Sequence, residues 1–214
     1  MNGKWKLIVA ALVLASATGI NLQAQVGKSL GVVDVNTVAE NELATFPNMT
    51  PAIAKALVAK RPFMSITDLN TFLLGQGLTQ AQANELYGKA FVHINLNTAT
   101  SPEILLVPNA GKRMAHEFDE YRPWKSYAQF DKEIRKYVGP EATSKLAQYT
   151  FIPIDVNTAG DEILMTIPGA NAALVAKIKA GRPYKTVTEV EAAVAKGSTP
   201  AEGKRIARYL AVQP

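Results

Sequence analysis

The chain repeats itself three times, which limits it to architectures assembled from a small recurring unit. Asn36-Thr37 returns as Asn97-Thr98 and Asn157-Thr158, and Pro47 returns as Pro108 and Pro168, so the offsets are 61 and then 60 residues. Arg61-Pro62-Phe63, Arg122-Pro123-Trp124 and Arg182-Pro183-Tyr184 keep the same two offsets, with an aromatic after every proline. Leu86, Leu146 and Ile206 recur at 60 and 60, which places the one extra residue of the first unit in the Gly75-Gln76-Gly77 loop. Loops are where insertions are tolerated. The unit boundaries are then 30–92, 93–152 and 153–214.

Within each unit the apolar residues hold helical spacing and the same phase, so the expected fold is all-α: three units of four short helices, without a sheet. A second helix carries Ile53 and Leu57, Met114 and Phe118, or Leu174 and Ile178, each pair at i and i+4. A third carries Ile66, Leu69 and Leu73, matched by Tyr127, Phe130 and Ile134 and by Val187, Val190 and Val194. These are the candidate core. Ser65, Ser126 and Thr186 precede the third helices as N-caps. Ser101-Pro102-Glu103 reads as a cap followed by proline at the first helical position, and Pro47, Pro108 and Pro168 stop the first helices. Phe63, Trp124 and Tyr184 read as plugs that pack each linker onto the core, with the preceding arginine capping helix-end carbonyls. The Asn-Thr pairs read as turn chemistry between units.

The N-terminus has a different composition. Lys4 and Lys6 precede an apolar run from Leu7 to Ala17, and Leu22-Gln23-Ala24 offers a small-residue cleavage site. That is a signal-peptide layout over 1–24, implying a periplasmic or extracellular protein that starts near Gln25. The run is shorter than a membrane span requires, and the mature chain has no second one. With no cysteine, neither disulfides nor a lipid-modified terminus is available. Loss of Lys4 and Lys6 lowers the formal net charge from +5 to +3.

The pattern of Asn-Thr, a proline eleven positions on and a hairpin before a second amphipathic helix resembles the helix-hairpin-helix domain of ComEA-like competence DNA receptors. Gly181-Arg182-Pro183-Tyr184-Lys185 is similar to the linker between hairpins in small secreted bacterial proteins of that family. The resemblance covers nearly the whole mature chain three times. It implies double helix-hairpin-helix (SAM-like) units that bind double-stranded DNA without sequence preference, through backbone N–H groups of Gly-hydrophobic-Gly hairpins.

Here the first hairpins read Asn48-Met49-Thr50, Asn109-Ala110-Gly111 and Gly169-Ala170-Asn171, and none has both glycines. The second hairpins, aligned as Gly77-Leu78-Thr79, Tyr137-Val138-Gly139 and Gly197-Ser198-Thr199, keep one each. Residues 25–92, 93–153 and 154–214 have net charges of 0, +1 and +2, so any phosphate surface is local. The candidates are Gly111 with Lys112 and Arg113 at a helix start, and Gly197 followed by Lys204, Arg205 and Arg208 on the last helix. Two readings stay open: phosphate contacts, or a solvated helix face on a module that docks to a protein partner instead. No enzyme, metal or cofactor is expected, because His93 and His116 lack metal-ligand spacing to another histidine or any cysteine, and no nucleophile has a base beside it. Mass spectrometry of protein recovered from an outer compartment should find an N-terminus near Gln25; an intact Met1 on abundant cytoplasmic protein would contradict secretion.

Overall fold

The computed structural model describes residues 25–213, and the expected signal segment 1–24 lies outside them. The described chain is mostly helical. Its first segment runs β1 (Val33–Asp34), α1 (Glu40–Leu43), α2 (Pro51–Lys60), α3 (Ile66–Gly75), α4 (Gln80–Tyr87) and β2 (Ala90–Phe91). The second runs β3 (Ile94–Asn95), α5 (Ser101–Leu105), α6 (Lys112–Glu120), α7 (Tyr127–Ala147) and β4 (Thr150–Phe151). The third runs β5 (Ile154–Asp155), α8 (Asp161–Leu164), α9 (Ala172–Ala180), α10 (Val187–Ala195), α11 (Pro200–Ala207) and β6 (Leu210–Ala211).

The strands correct the expectation of no sheet. Each segment closes by pairing its first and last strand in parallel, Val33 with Ala90, Ile94 with Thr150 and Ile154 with Leu210. Parallel strands need a long crossover, and here the intervening helices provide it. Two-residue strands are too short to show an alternating pattern, so apolar phasing could not reveal them.

Most of the helical expectations hold at the core, while Ile53, Tyr127, Leu174 and Val187 are only half-buried. Leu57, Ile66, Leu69, Leu73, Phe118, Ile134, Leu86 and Ile206 are fully buried, and Met114, Phe130, Ile178, Val190 and Val194 nearly so. Ser65, Ser126 and Thr186 cap α3, α7 and α10 by accepting from the N–H of Asp68, Gln129 and Glu189. At α5 the cap is Thr100, one residue earlier than expected, because Thr100 and Glu103 form a reciprocal capping box. In the second segment, two helices run on as α7 with a break at Gly139, whose φ is 76°. Positive φ sits on the first residue of the other second hairpins, Gly77 and Gly197, so this turn is displaced by two positions.

One side chain in each segment ties the entry turn to the Arg-Pro corner. The Asn36 amide accepts from Phe63 N–H at 2.7 Å and donates to Phe63 C=O at 3.0 Å. Asn97 does the same with Trp124 at 2.6 and 2.9 Å, and Asn157 with Tyr184 at 2.8 and 2.9 Å. The Arg-Pro bonds are cis in all three corners. The arginines Arg61, Arg122 and Arg182 donate to Val38, Ala99 and Ala159 carbonyls, which precede the first helices rather than end them. That corrects their expected capping of helix ends. The aromatics are buried plugs, and Trp124 and Tyr184 additionally donate to the carbonyls of Phe118 and Ile178.

The apolar residues form two clusters. One spans the first two segments from Val32 to Ile152, and the other holds the third segment with Phe151 and Val26. Val26 belongs to an N-terminal strap: it bridges Phe151 antiparallel, while Gly27 N–H donates to Thr150 C=O at 3.0 Å and Ile152 N–H to Gln25 C=O at 3.1 Å. Leu69→Ala and Phe130→Ala should each lower unfolding free energy by roughly 2 to 5 kcal/mol. Denaturant midpoints that do not move would contradict this packing.

Candidate functional site

The first hairpin places a left-handed residue at the same point of each segment, Asn48 (φ 60°), Asn109 (φ 66°) and Gly169 (φ 80°). Asparagine tolerates this conformation better than other residues with a Cβ, so the turn survives without glycine. The helix starts beyond it differ. Thr50 caps α2 by accepting from Ile53 N–H, and Asn171 caps α9 by accepting from Leu174 N–H. Gly111 has no side chain to offer α6, so the first N–H groups of that helix have no side-chain acceptor from the cap.

Lys112 and Arg113 are exposed beside that helix start. The Arg113 guanidinium lies 4.6 Å from the Tyr137 ring centroid, and its Nε is 3.7 Å from the Glu117 carboxylate. A cation over an aromatic ring and beside a carboxylate is restrained in where its donors point. An open depression of about 500 Å³ adjoins it, lined by Asn84, Leu105, Pro108, Asn109 and Gly111. Helix dipole, free N–H groups and two cations make this spot suited to an oxyanion such as phosphate.

The second candidate set does not come together as a surface. Gly197 and Lys204 are exposed. Arg205 is 3% exposed, pairs with Glu202 at 2.6 Å and donates to Pro168 C=O at 2.9 Å. Arg208 donates to His93 C=O at 2.7 Å and lies over the Phe151 and Tyr209 rings. Both arginines are committed inside the fold, which removes them from the expected phosphate set. The cause is the face they occupy: Ile206, Ala207 and Tyr209 beside them are buried against the rest of the chain.

The third first-hairpin is also occupied by protein. A Cβ on Gly169 would lie 3.0 Å from both Arg205 Nη2 and Thr37 Cγ2, so the first segment sits on this turn. A cleft of about 620 Å³ opens next to it, lined by Lys28, Asp34, Thr37, His93, Thr166 and Pro168. His93, which the sequence excludes from a metal site by its spacing, is buried here against Asp34 at 3.1 Å. Its only sequence signal was a histidine within an apolar run. His116 is exposed and pairs with Glu120 at 2.9 Å. Among the described residues, no group of three His, Asp or Glu side chains could hold a metal ion, and no helix is long and apolar enough to cross a membrane.

In comparison with known proteins, the chain matches no family model, no curated protein and no solved structure. The two hairpin glycines differ in a way that mutation can read. Gly111→Ala adds a methyl to open space at an ordinary φ, so stability should change little. Gly169→Ala forces an alanine to φ 80° against Thr37 and Arg205, and should cost about 1 to 2 kcal/mol or more. Thermal unfolding of both variants checks the contrast.

Proposed function

We propose that this chain is a secreted, non-catalytic protein of three tandem double helix-hairpin-helix units, 30–92, 93–152 and 153–214, which binds the phosphate backbone of double-stranded DNA weakly and without sequence preference. The observation that carries this reading is the start of α6, where uncapped N–H groups stand beside exposed Lys112 and Arg113. The recurring asparagine clamp and the left-handed residue in each first hairpin support the unit assignment. Phosphate contacts of this kind position a duplex but read no bases.

A second reading has its own observation. The Gly169 hairpin already serves as a docking surface, against Thr37 of the same chain. Hairpins of this chain can therefore serve protein contact rather than DNA, and a protein partner is the alternative.

With Arg205 and Arg208 engaged internally, three exposed cations of the candidate set remain, Lys112, Arg113 and Lys204, and each neutralised phosphate contributes about −0.9 to the slope of log affinity against log salt. A duplex titration should accordingly give a slope of roughly −3. Replacing Lys112 and Arg113 together by alanine should flatten that slope by about 2 with little change in thermal midpoint, whereas replacing Lys28 and Lys60 should not. No association at low ionic strength would reject DNA binding and leave the docking reading.

A further inference from the structure

Asp34 does two things, and its own turn requires only one of them. Its Oδ1 accepts the Asn36 N–H at 2.8 Å, as Asn95 accepts Asn97 N–H at 2.9 Å and Asp155 accepts Asn157 N–H at 3.1 Å. Asn95 makes this turn with a neutral side chain, so the turn does not need the charge of Asp34. The other oxygen, Oδ2, meets distant parts of the chain. It accepts from Tyr209 Oη at 3.0 Å, across 175 positions of sequence, and lies 3.1 Å from His93 Nδ1.

These groups are buried at the wall of the cleft beside Gly169: the Asp34 and His93 side chains are 1% and 6% exposed, and Tyr209 is fully buried. The charged neighbours come from several elements. Arg205 on α11 and Arg61 at the end of α2 both feel the Asp34 charge, and Arg208 holds the His93 carbonyl. Lys28 of the strap lines the same cleft.

We propose that Asp34, His93 and Tyr209 form an acid-labile clasp that couples the third segment to the first and keeps the Gly169 hairpin seated on Thr37. The third segment has its own apolar cluster, which reaches beyond the segment only through Phe151 and Val26 among its buried residues, so apolar burial resists its opening weakly. The clasp supplies polar contacts across that gap. An ionised carboxylate only accepts, which suits the Tyr209 hydroxyl and a His93 ring protonated at Nδ1. Protonating Asp34 would bring a further hydrogen to an oxygen that already faces donors.

Burial by itself pushes the Asp34 carboxyl up, yet the hydrogen bond and charge of His93, the Asn36 N–H and the Arg205 charge hold it below its ordinary value. A folded-state value below the unfolded one means that the contribution is complete above about pH 4 and is lost as pH falls through the folded-state value. The clasp is therefore closed at neutral pH and opens in acid.

Asp34→Asn tests this, because Asn95 shows that asparagine can keep the turn. Hydrogen exchange on the full chain at neutral pH should show the Ile154 and Val156 amides, which bond Tyr209 and Ala211 carbonyls, exchanging about tenfold faster or more in the variant, while α6 keeps its rate. Tyr209→Phe leaves turn and charge intact and should shift the same amides in the same direction, so it carries the test if Asp34→Asn fails to fold. The wild-type thermal midpoint should fall more steeply than that of Asp34→Asn as pH drops below about 4. Equal acceleration in α6 and in the third segment, or an unchanged acid dependence in Asp34→Asn, would overturn the clasp.

Discussion

A single asparagine side chain holds the entry turn of each segment to the corner 27 residues further on, and the remaining helices are arranged around that tie. The amide suits the task because it donates and accepts at once, saturating the N–H and C=O of Phe63, Trp124 or Tyr184. Aspartate could accept but not donate. With the corner fixed, the aromatic is driven into the core and its arginine reaches the backbone ahead of the first helix. Two otherwise unpaired backbone groups next to a buried ring would each carry a desolvation cost, so one residue secures both the turn and the plug.

On this common frame the hairpins have diverged in what they can touch. Asn48, Asn109 and Gly169 preserve one backbone conformation, but the residue two positions later decides the surface. Threonine and asparagine satisfy the helix start internally at α2 and α9, whereas Gly111 leaves it open at α6. The same turn is thus a closed end in one place, an inward seat against Thr37 in another, and an exposed anion-suited end in the second segment. What each turn presents to solvent is set by cap chemistry and by which face is covered, and the turn conformation alone does not decide it.

The segments are joined by two kinds of contact. Aromatic edges link neighbours through Phe91 with Tyr149 and Phe151 with Tyr209, and the first two segments share one apolar cluster. The first and third meet instead through buried polar groups centred on Asp34. Apolar contact tolerates sliding, while a carboxylate between a phenol and an imidazole fixes one geometry. The Arg208 guanidinium adds to this by spanning the His93 carbonyl and the Tyr209 ring.

By itself the sequence determined the periodic helical framework, because apolar phase and capping chemistry are local: Leu69, Phe130 and Val190 are buried, and Ser65, Ser126 and Thr186 cap their helices. It also pointed to Gly111, Lys112 and Arg113, since a hairpin glycine followed by two cations at a helix start is legible in three adjacent residues. The two-residue parallel strands left no periodic trace, and the turn at Gly139 sits two positions from where the repeat register puts it. Arg205 and Arg208 looked like a surface stripe because their partners, the carbonyls of Pro168 and His93, lie 37 and 115 positions away. Only the tertiary structure decided which cations face solvent, and that Asp34, His93 and Tyr209 meet, because those outcomes depend on how segments pack against one another, a property that no single repeat encodes.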